Sequence, residues 1–312
     1  MKGRILIIIV LIVLAAFVSC GTRKEKADHK PTVITTLFPL YDFARQVGGE
    51  NVHVLLLLPP GVEAHSFEPK PADMIRIAKA SVFVYTGKYM EPWVQQLIQS
   101  ADNPKLVVVD ASTGIKLIAA HEEHDSGLSE GKHDHGAYDP HIWLDFGNTM
   151  KMVDTIAGGL CSADPGNCDI YRQNARIYNE RLANLDKEYR ESLSRCKKKI
   201  IVHGGHFAFG YLARRYGLEY VSAYGGSPNA EPTARKIIAL KRLIAQNDVH
   251  YVFYEELLNP KVSNIISNET GARLLKLNGA HNITKEEFSQ GVTFISLMEA
   301  NLVNLKKGLE CP

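Results

Sequence analysis

Five residues able to bind a divalent ion follow apolar, β-rich runs of this sequence, His141 by way of a long loop. They are His65 in "PPGVEAHSFEP", His141 in "DPHIWLD", His206 in "IIVHGGH", Glu255 in "VFYEE" and His281 in "LLKLNGAH". Imidazole and carboxylate are ready ligands for such ions. In open α/β sheets, ligands bind beyond the carboxyl ends of the strands, so side chains that follow strands are the ones a common cleft collects. A lone loop histidine is more often a hydrogen-bonded structural residue; His65, His141 and His206 are set apart by their repeated position after strands. His53 and His250 read as residues inside strands and His203 sits three residues before His206, so these three are assigned structural roles. Pro59, Pro60, Pro69 and Pro140 stiffen the approach to His65 and His141, as a preorganised site requires, although any tight loop uses prolines the same way.

A second group of histidines, His121, His124, His133 and His135, lies among acidic residues in "HEEHDSGLSEGKHDHGAYDPH", directly before His141. Histidine-rich tracts commonly bind metal. Ordering a polar loop costs conformational entropy, so this tract is expected to hold metal more weakly than the cleft and to serve in capture or delivery. The alternative is a solvated spacer. "HEEH" is not the HExxH of zinc proteases, because only two residues separate its histidines.

The elements that must position these residues alternate in type. "TVITT", "VHVLLLL", "SVFVYT" and "KLVVVD" read as strands, with helices in "LYDFARQVG", "PADMIRIAKA" and "PWVQQLIQS" between them. Short apolar strands separated by helices predict a parallel sheet covered on both faces. Residues 112–138 interrupt this pattern and read as a mobile loop, followed by a helix over 147–160. From Asp169 to Arg195 there is no Gly or Pro, and Ile170, Ala175, Tyr178, Leu182, Leu185, Tyr189 and Leu193 recur at helical spacing. Such a helix reaches roughly 40 Å, enough to run through two domains. The alternation then restarts with strands in "KIIVH", "LEYVSAY", "VHYVFYE" and "ARLLKLN", separated by helices in "FAFGYLARRYG", "PTARKIIALKRLIAQN" and "PKVSNIISNETG", and ends in one or two helices over 285–309. The predicted fold is α/β, with two lobes, each a parallel sheet flanked by helices, joined by one long rigid helix, and a metal site in the cleft between them.

The chain opens "MKGRILIIIVLIVLAAFVSC", two basic residues before an apolar run too short for a membrane span, which reads as a secretory signal. Ser19 and Cys20 resemble the cleavage and lipid-attachment site of bacterial lipoproteins; an uncleaved N-terminal anchor is the alternative. Either places the mature protein outside the cytoplasm, periplasmic or at the cell surface, tethered to a membrane. The predicted organisation is a signal peptide over 1–20, a flexible leader over 21–31, an N-terminal lobe over 32–162, a disulfide loop and connecting helix over 163–197, and a C-terminal lobe over 198–312. Cys161, Cys168, Cys196 and Cys311 make an even number in an oxidising compartment, which favours two disulfides. The expected pairs are Cys161 with Cys168 and Cys196 with Cys311; sequence does not fix connectivity, and the other two pairings stay open. No CxxC pattern supports a zinc–thiolate site. A formal net charge of +2 that includes the basic leader gives no nucleic-acid footprint.

"PPGVEAHSFEPKPADM", "DPHIWLDFGN", "HGGHFAFGYLARRYGL", "SPNAEPTARKI" and "ETGARLLKLNGAHNIT" together resemble the TroA-like or ZnuA-like metal-binding lipoproteins, the zinc and manganese receptors (cluster A-I) of bacterial ABC transporters. The resemblance covers nearly the whole mature chain in order. It implies a monomeric two-lobe receptor that hands its ion to a membrane permease, with three ligating histidines that map onto His65, His141 and His206. Many of these receptors carry Asp or Glu in the segment matching "LNGAHNIT"; here the nearest candidate is His281, with water, Glu63 or Glu255 as alternatives. Glu255 otherwise suits an acceptor that orients a ligand imidazole. Imidazole-rich sites suit zinc and manganese prefers oxygen donors, so Zn2+ is the expected cargo ahead of Mn2+. Histidines ligate only when neutral, so affinity is expected to fall as pH drops past their ordinary value of about 6.5. The rival readings are the same fold serving manganese or iron, and a zinc-dependent hydrolase with Glu63 or Glu255 as base, for which no HExxH, GxSxG or paired-carboxylate motif is present. An adhesin role is sometimes attached to such relatives, and the sequence offers no binding face for it.

Overall fold

A computed structural model describes residues 30–119, 138–225, 232–257 and 260–312. Cys20 and the histidines at 121, 124, 133 and 135 lie outside the described residues.

The first sheet is built from β1 (Thr32–Thr35), β2 (His53–Leu56), β3 (Val82–Tyr85) and β4 (Val107–Asp110) in the order β2-β1-β3-β4, every pair parallel. The second repeats that order with β5 (Ile200–His203), β6 (Glu219–Ser222), β7 (Tyr251–Tyr254) and β8 (Arg273–Lys276) as β6-β5-β7-β8, again all parallel. Val, Ile and Phe fill the central strands, and β3 and β5 are buried at all four positions, as strands covered on both faces must be. In each sheet the order reverses between the two central strands, β1 and β3 or β5 and β7. The crevice beyond their carboxyl ends is where such sheets bind ligands.

Helices α1 (Phe38–Gly48), α2 (Pro71–Ala78) and α3 (Val94–Ser100) pack on the first sheet; α6 (Gly210–Tyr216), α7 (Ala234–Gln246) and α8 (Lys261–Thr270) belong to the second. Between the lobes run α4 (Phe146–Ala163) and α5 (Cys168–Leu193), the long helix expected from the unbroken sequence. Its buried stripe is Tyr171, Ala175, Tyr178, Leu182, Leu185, Tyr189 and Leu193. Ile170, which the periodicity included, is exposed instead. The C-terminal stretch forms two helices, α9 (Lys285–Ser289) and α10 (Phe294–Gly308), because Gly291 turns at φ +71° and Thr293 caps α10 through the Ser296 N–H.

The long helix is not the only connection. One apolar core contains Val33, Phe43 and Trp143 of the first half together with Phe253, Leu277 and Phe294 of the second, while smaller clusters lie under α2 and α3 and under α7 and α8. Arg215 of α6 makes a two-pronged ion pair to Asp186 on α5, both bonds 2.7 Å, and a third at 2.7 Å to Asp145, the N-cap of α4. Bidentate Arg–carboxylate pairs are the strong ones. Disulfides join Cys161 to Cys168 at the α4–α5 corner and Cys196 to Cys311, closing a separation of 115 residues.

His53 is the exposed first residue of β2 and His250 directly precedes β7, so neither lies in a strand interior. The beginning of the stretch read as a mobile loop is ordered as well: Ile115, Leu117 and Ile118 pack against the core, and Ala119 bridges Tyr138.

Candidate metal centre

The four histidines arrive from four loops, two per lobe, and meet in the cleft. His65 follows β2; His141 precedes a short turn over Ile142–Leu144 that leads into α4; His206 follows β5 and His281 follows β8. His141, His206 and His281 are 1, 3 and 6 % exposed, and His65 is half-buried. The Nε2 atom of His141 lies 3.3 Å from Nε2 of His65 and 3.3 Å from Nε2 of His206. One ring nitrogen from each of the four falls within 4.8 Å of the others. Among the described residues, the Nε2 of His281 is buried without a hydrogen-bond partner.

The two shorter separations are those that a small tetrahedral ion sets. With Zn–N bonds of about 2.0–2.1 Å, tetrahedral geometry sets neighbouring nitrogens about 3.3–3.4 Å apart. Neutral imidazoles each offer one N–H, so a ring of converging Nε2 atoms cannot satisfy itself by hydrogen bonding. A cation at the centre can.

Behind three of the imidazoles stands a carboxylate. Asp139 Oδ1 lies 2.7 Å from His141 Nδ1 and also accepts the His141 N–H. Glu255 Oε2 lies 2.5 Å from His206 Nδ1 while its Oε1 accepts the His206 N–H at 3.0 Å. Glu256 Oε1 lies 3.4 Å from His281 Nδ1, and its Oε2 accepts the Gly279 N–H at 2.7 Å. A carboxylate hydrogen-bonded at Nδ1, as Asp139 is at His141 and Glu256 at His281, fixes the tautomer that leaves Nε2 free to ligate. Glu63 acts differently: its two oxygens accept the N–H groups of His65 and Ser66 and the Ser66 hydroxyl, so it shapes the turn that carries His65.

Burial governs the charge states. It lowers His65 and His206 to about 3 and holds His141 and His281 well below the ordinary value, with the neighbouring imidazoles reinforcing the effect. Burial also raises Asp139 to about 7, Glu255 to about 8, and Glu256 in the same direction. The imidazoles are therefore neutral and ready to ligate across the physiological range, and near neutral pH the protons that oppose a cation sit on the carboxylates.

The histidines given structural roles from the sequence fall outside the group of four. His203 is fully buried, with Nδ1 3.2 Å from the His206 carbonyl and 3.1 Å from the Tyr220 hydroxyl, and its ring packs perpendicular to Phe209. His250 pairs with Glu310 at 2.6 Å and Asp248 at 3.2 Å. Sequence reasoning missed Asp139 and Glu256. The first lies two residues before a named ligand and the second beside Glu255, yet nothing in their spacing says which nitrogen they face.

Comparison with known families places these features in a wider group. The family described as "Zinc-uptake complex component A periplasmic" matches residues 33–308. The high-affinity zinc uptake system protein ZnuA of Bacillus subtilis is 37% identical over 297 residues, covering 93% of each chain. The zinc-binding lipoprotein AdcA of Streptococcus pneumoniae is 36% identical over 296 residues, covering 93% of this chain and 58% of that protein, so the chain spans little more than half of that relative's length. The Zn(II)-bound ZnuA-like domain of AdcA superimposes with a TM-score of 0.76 at 34% identity, covering 90% of this chain and 99% of that domain.

Proposed function

Because the chain belongs to the ZnuA family of periplasmic zinc-uptake components, we propose that it is an extracytoplasmic receptor that captures Zn2+ in its inter-lobe cleft and delivers it to an ABC permease. His65, His141, His206 and His281 are the ligands. The observation that carries the reading is the convergence of four imidazoles that bring one nitrogen each within 4.8 Å of the others, with two of the pairs already at the 3.3 Å that tetrahedral zinc sets. Four nitrogen donors favour zinc over manganese, which takes oxygen-rich sites. They also leave no open coordination position for an activated water, so the protein acts as a carrier and not as an enzyme. Export by the N-terminal signal and tethering through Cys20 would hold a monomeric receptor beside its membrane partner.

The direct test is a competition titration on metal-stripped protein lacking residues 1–20. One stoichiometric zinc ion that excess manganese does not displace supports the reading. Manganese competing on equal terms would sink it in favour of a carboxylate-completed site.

A further inference from the structure

The turn over residues 277–284 carries His281 from the C-terminal lobe, yet many of its polar partners belong to the other lobe. The Trp143 indole N–H donates to the Gly279 carbonyl at 2.7 Å, and the Gly61 N–H to the Ile283 carbonyl at 2.8 Å. Ala280, fully buried, adopts φ +56°, a conformation that a non-glycine residue holds only when its surroundings impose it. Asn282, also fully buried, makes two further ties: its Nδ2 donates to the carbonyls of Pro59 at 2.7 Å and Val62 at 2.9 Å. Its Oδ1 accepts the Ile283 N–H at 2.9 Å. An amide has two donor hydrogens and one acceptor oxygen, and this one uses all of them.

Pro59 and Val62 belong to the loop that leads to His65. That loop presents the most exposed of the four histidines and, among the described residues, the one whose imidazole has no carboxylate within ion-pair distance. We infer that Asn282 is a positioning residue for His65: from the opposite lobe it grips the two carbonyls that set the path of the His65 loop, and so holds this ligand at the ion. The inference rests on the zinc-receptor reading. It goes beyond it by giving the residue next to His281 a task at a different ligand.

A double-mutant cycle on the exported, metal-stripped protein separates this from a general contribution to folding. Zinc dissociation constants are measured against a competing chelator for wild type, Asn282→Ala, His65→Ala and the double variant, with thermal unfolding of each metal-free protein alongside. Asn282→Ala is expected to weaken zinc binding about 10–100-fold, the usual cost of losing a residue that orients a ligand. In the His65→Ala background the same change should alter affinity by less than about twofold, because the ligand it positions is gone. Unchanged affinity in Asn282→Ala, or losses that multiply in the double variant, overturns the inference. If His65→Ala itself leaves zinc binding intact, the zinc-site reading fails and the inference falls with it. Should the alanine variant not fold, Asn282→Ser, which keeps one shorter donor, carries the same cycle.

Discussion

An imidazole can ligate only with a free lone pair, and burial provides that condition at all four histidines by penalising the protonated ring. The same burial raises the carboxylates behind them, Asp139 to about 7 and Glu255 to about 8. The sign of the resulting pH dependence follows. A carboxyl raised to about 8 is mostly protonated at pH 7 in the metal-free protein, whereas a bound dication favours the ionised form, so zinc uptake expels protons and affinity falls as pH drops from 8 toward 6. Calorimetry in buffers of different ionisation enthalpy should therefore report proton release near pH 7.5, and Glu255→Gln should reduce it. Equal heats in all buffers, or a release that Glu255→Gln leaves unchanged, would contradict this assignment. The fall in affinity with pH was expected from the sequence, but the groups responsible were misplaced, because ordinary imidazole values do not survive this degree of burial. That His65, His206 and His281 come together was legible from their positions after strands; His141, which lies after a long loop and just before α4, was drawn in by its motif, and the sequence left His281 open against water, Glu63 or Glu255. Glu256 and Asn282 were not legible, since their roles depend on contacts 25 and more than 200 residues away in sequence.

Among the elements, the clearest junction is Asp42. Its carboxylate accepts bonds from Gln46 on its own helix α1, from the Tyr178 hydroxyl on α5 at 3.1 Å, and from the Phe294 N–H that opens α10 at 2.9 Å. Burial raises this group above the ordinary 3.8 despite those donors. Between that value and its folded value, the native state holds a proton that the unfolded chain has lost, so this group's contribution to stability declines as pH rises through the window. Asp42→Asn keeps an acceptor and removes the buried charge; at neutral pH it should unfold no earlier than wild type, with the difference vanishing below about pH 4. Asp42→Ala should cost roughly 1–3 kcal/mol for each donor left unpaired. Thermal melts in which the alanine variant matches the asparagine variant would refute this role. Strand and helix identities were readable throughout from periodicity; boundaries were less so where tertiary contacts decide them. The helix read over 207–217 begins at Gly210 because the Phe207 N–H bonds to Gly225 and the Ala208 N–H to the Tyr220 hydroxyl, drawing the residues after His206 out of the helix.

For the whole molecule, two sheets of the same strand order face one cleft, and each supplies two of the four ring nitrogens. A helix of 26 residues, about 39 Å long, a shared apolar core and the Arg215 bridge to Asp145 and Asp186 hold the lobes to one another. The two-lobe plan was legible because the βα alternation stops and restarts around the long helix; the common core was not, because a buried Phe253 or Phe294 does not announce which lobe it faces. On such a frame the ion completes a seam whose donors are already near one another. The central claim, one zinc held by four imidazoles drawn from both lobes, is tested most directly by zinc X-ray absorption fine structure on protein loaded with one equivalent, compared with His281→Ala. The wild type should give four imidazole nitrogens at about 2.0–2.1 Å, falling to three with an oxygen donor in the variant. A mixed nitrogen and oxygen shell in the wild type that His281→Ala leaves unchanged would contradict the four-histidine site.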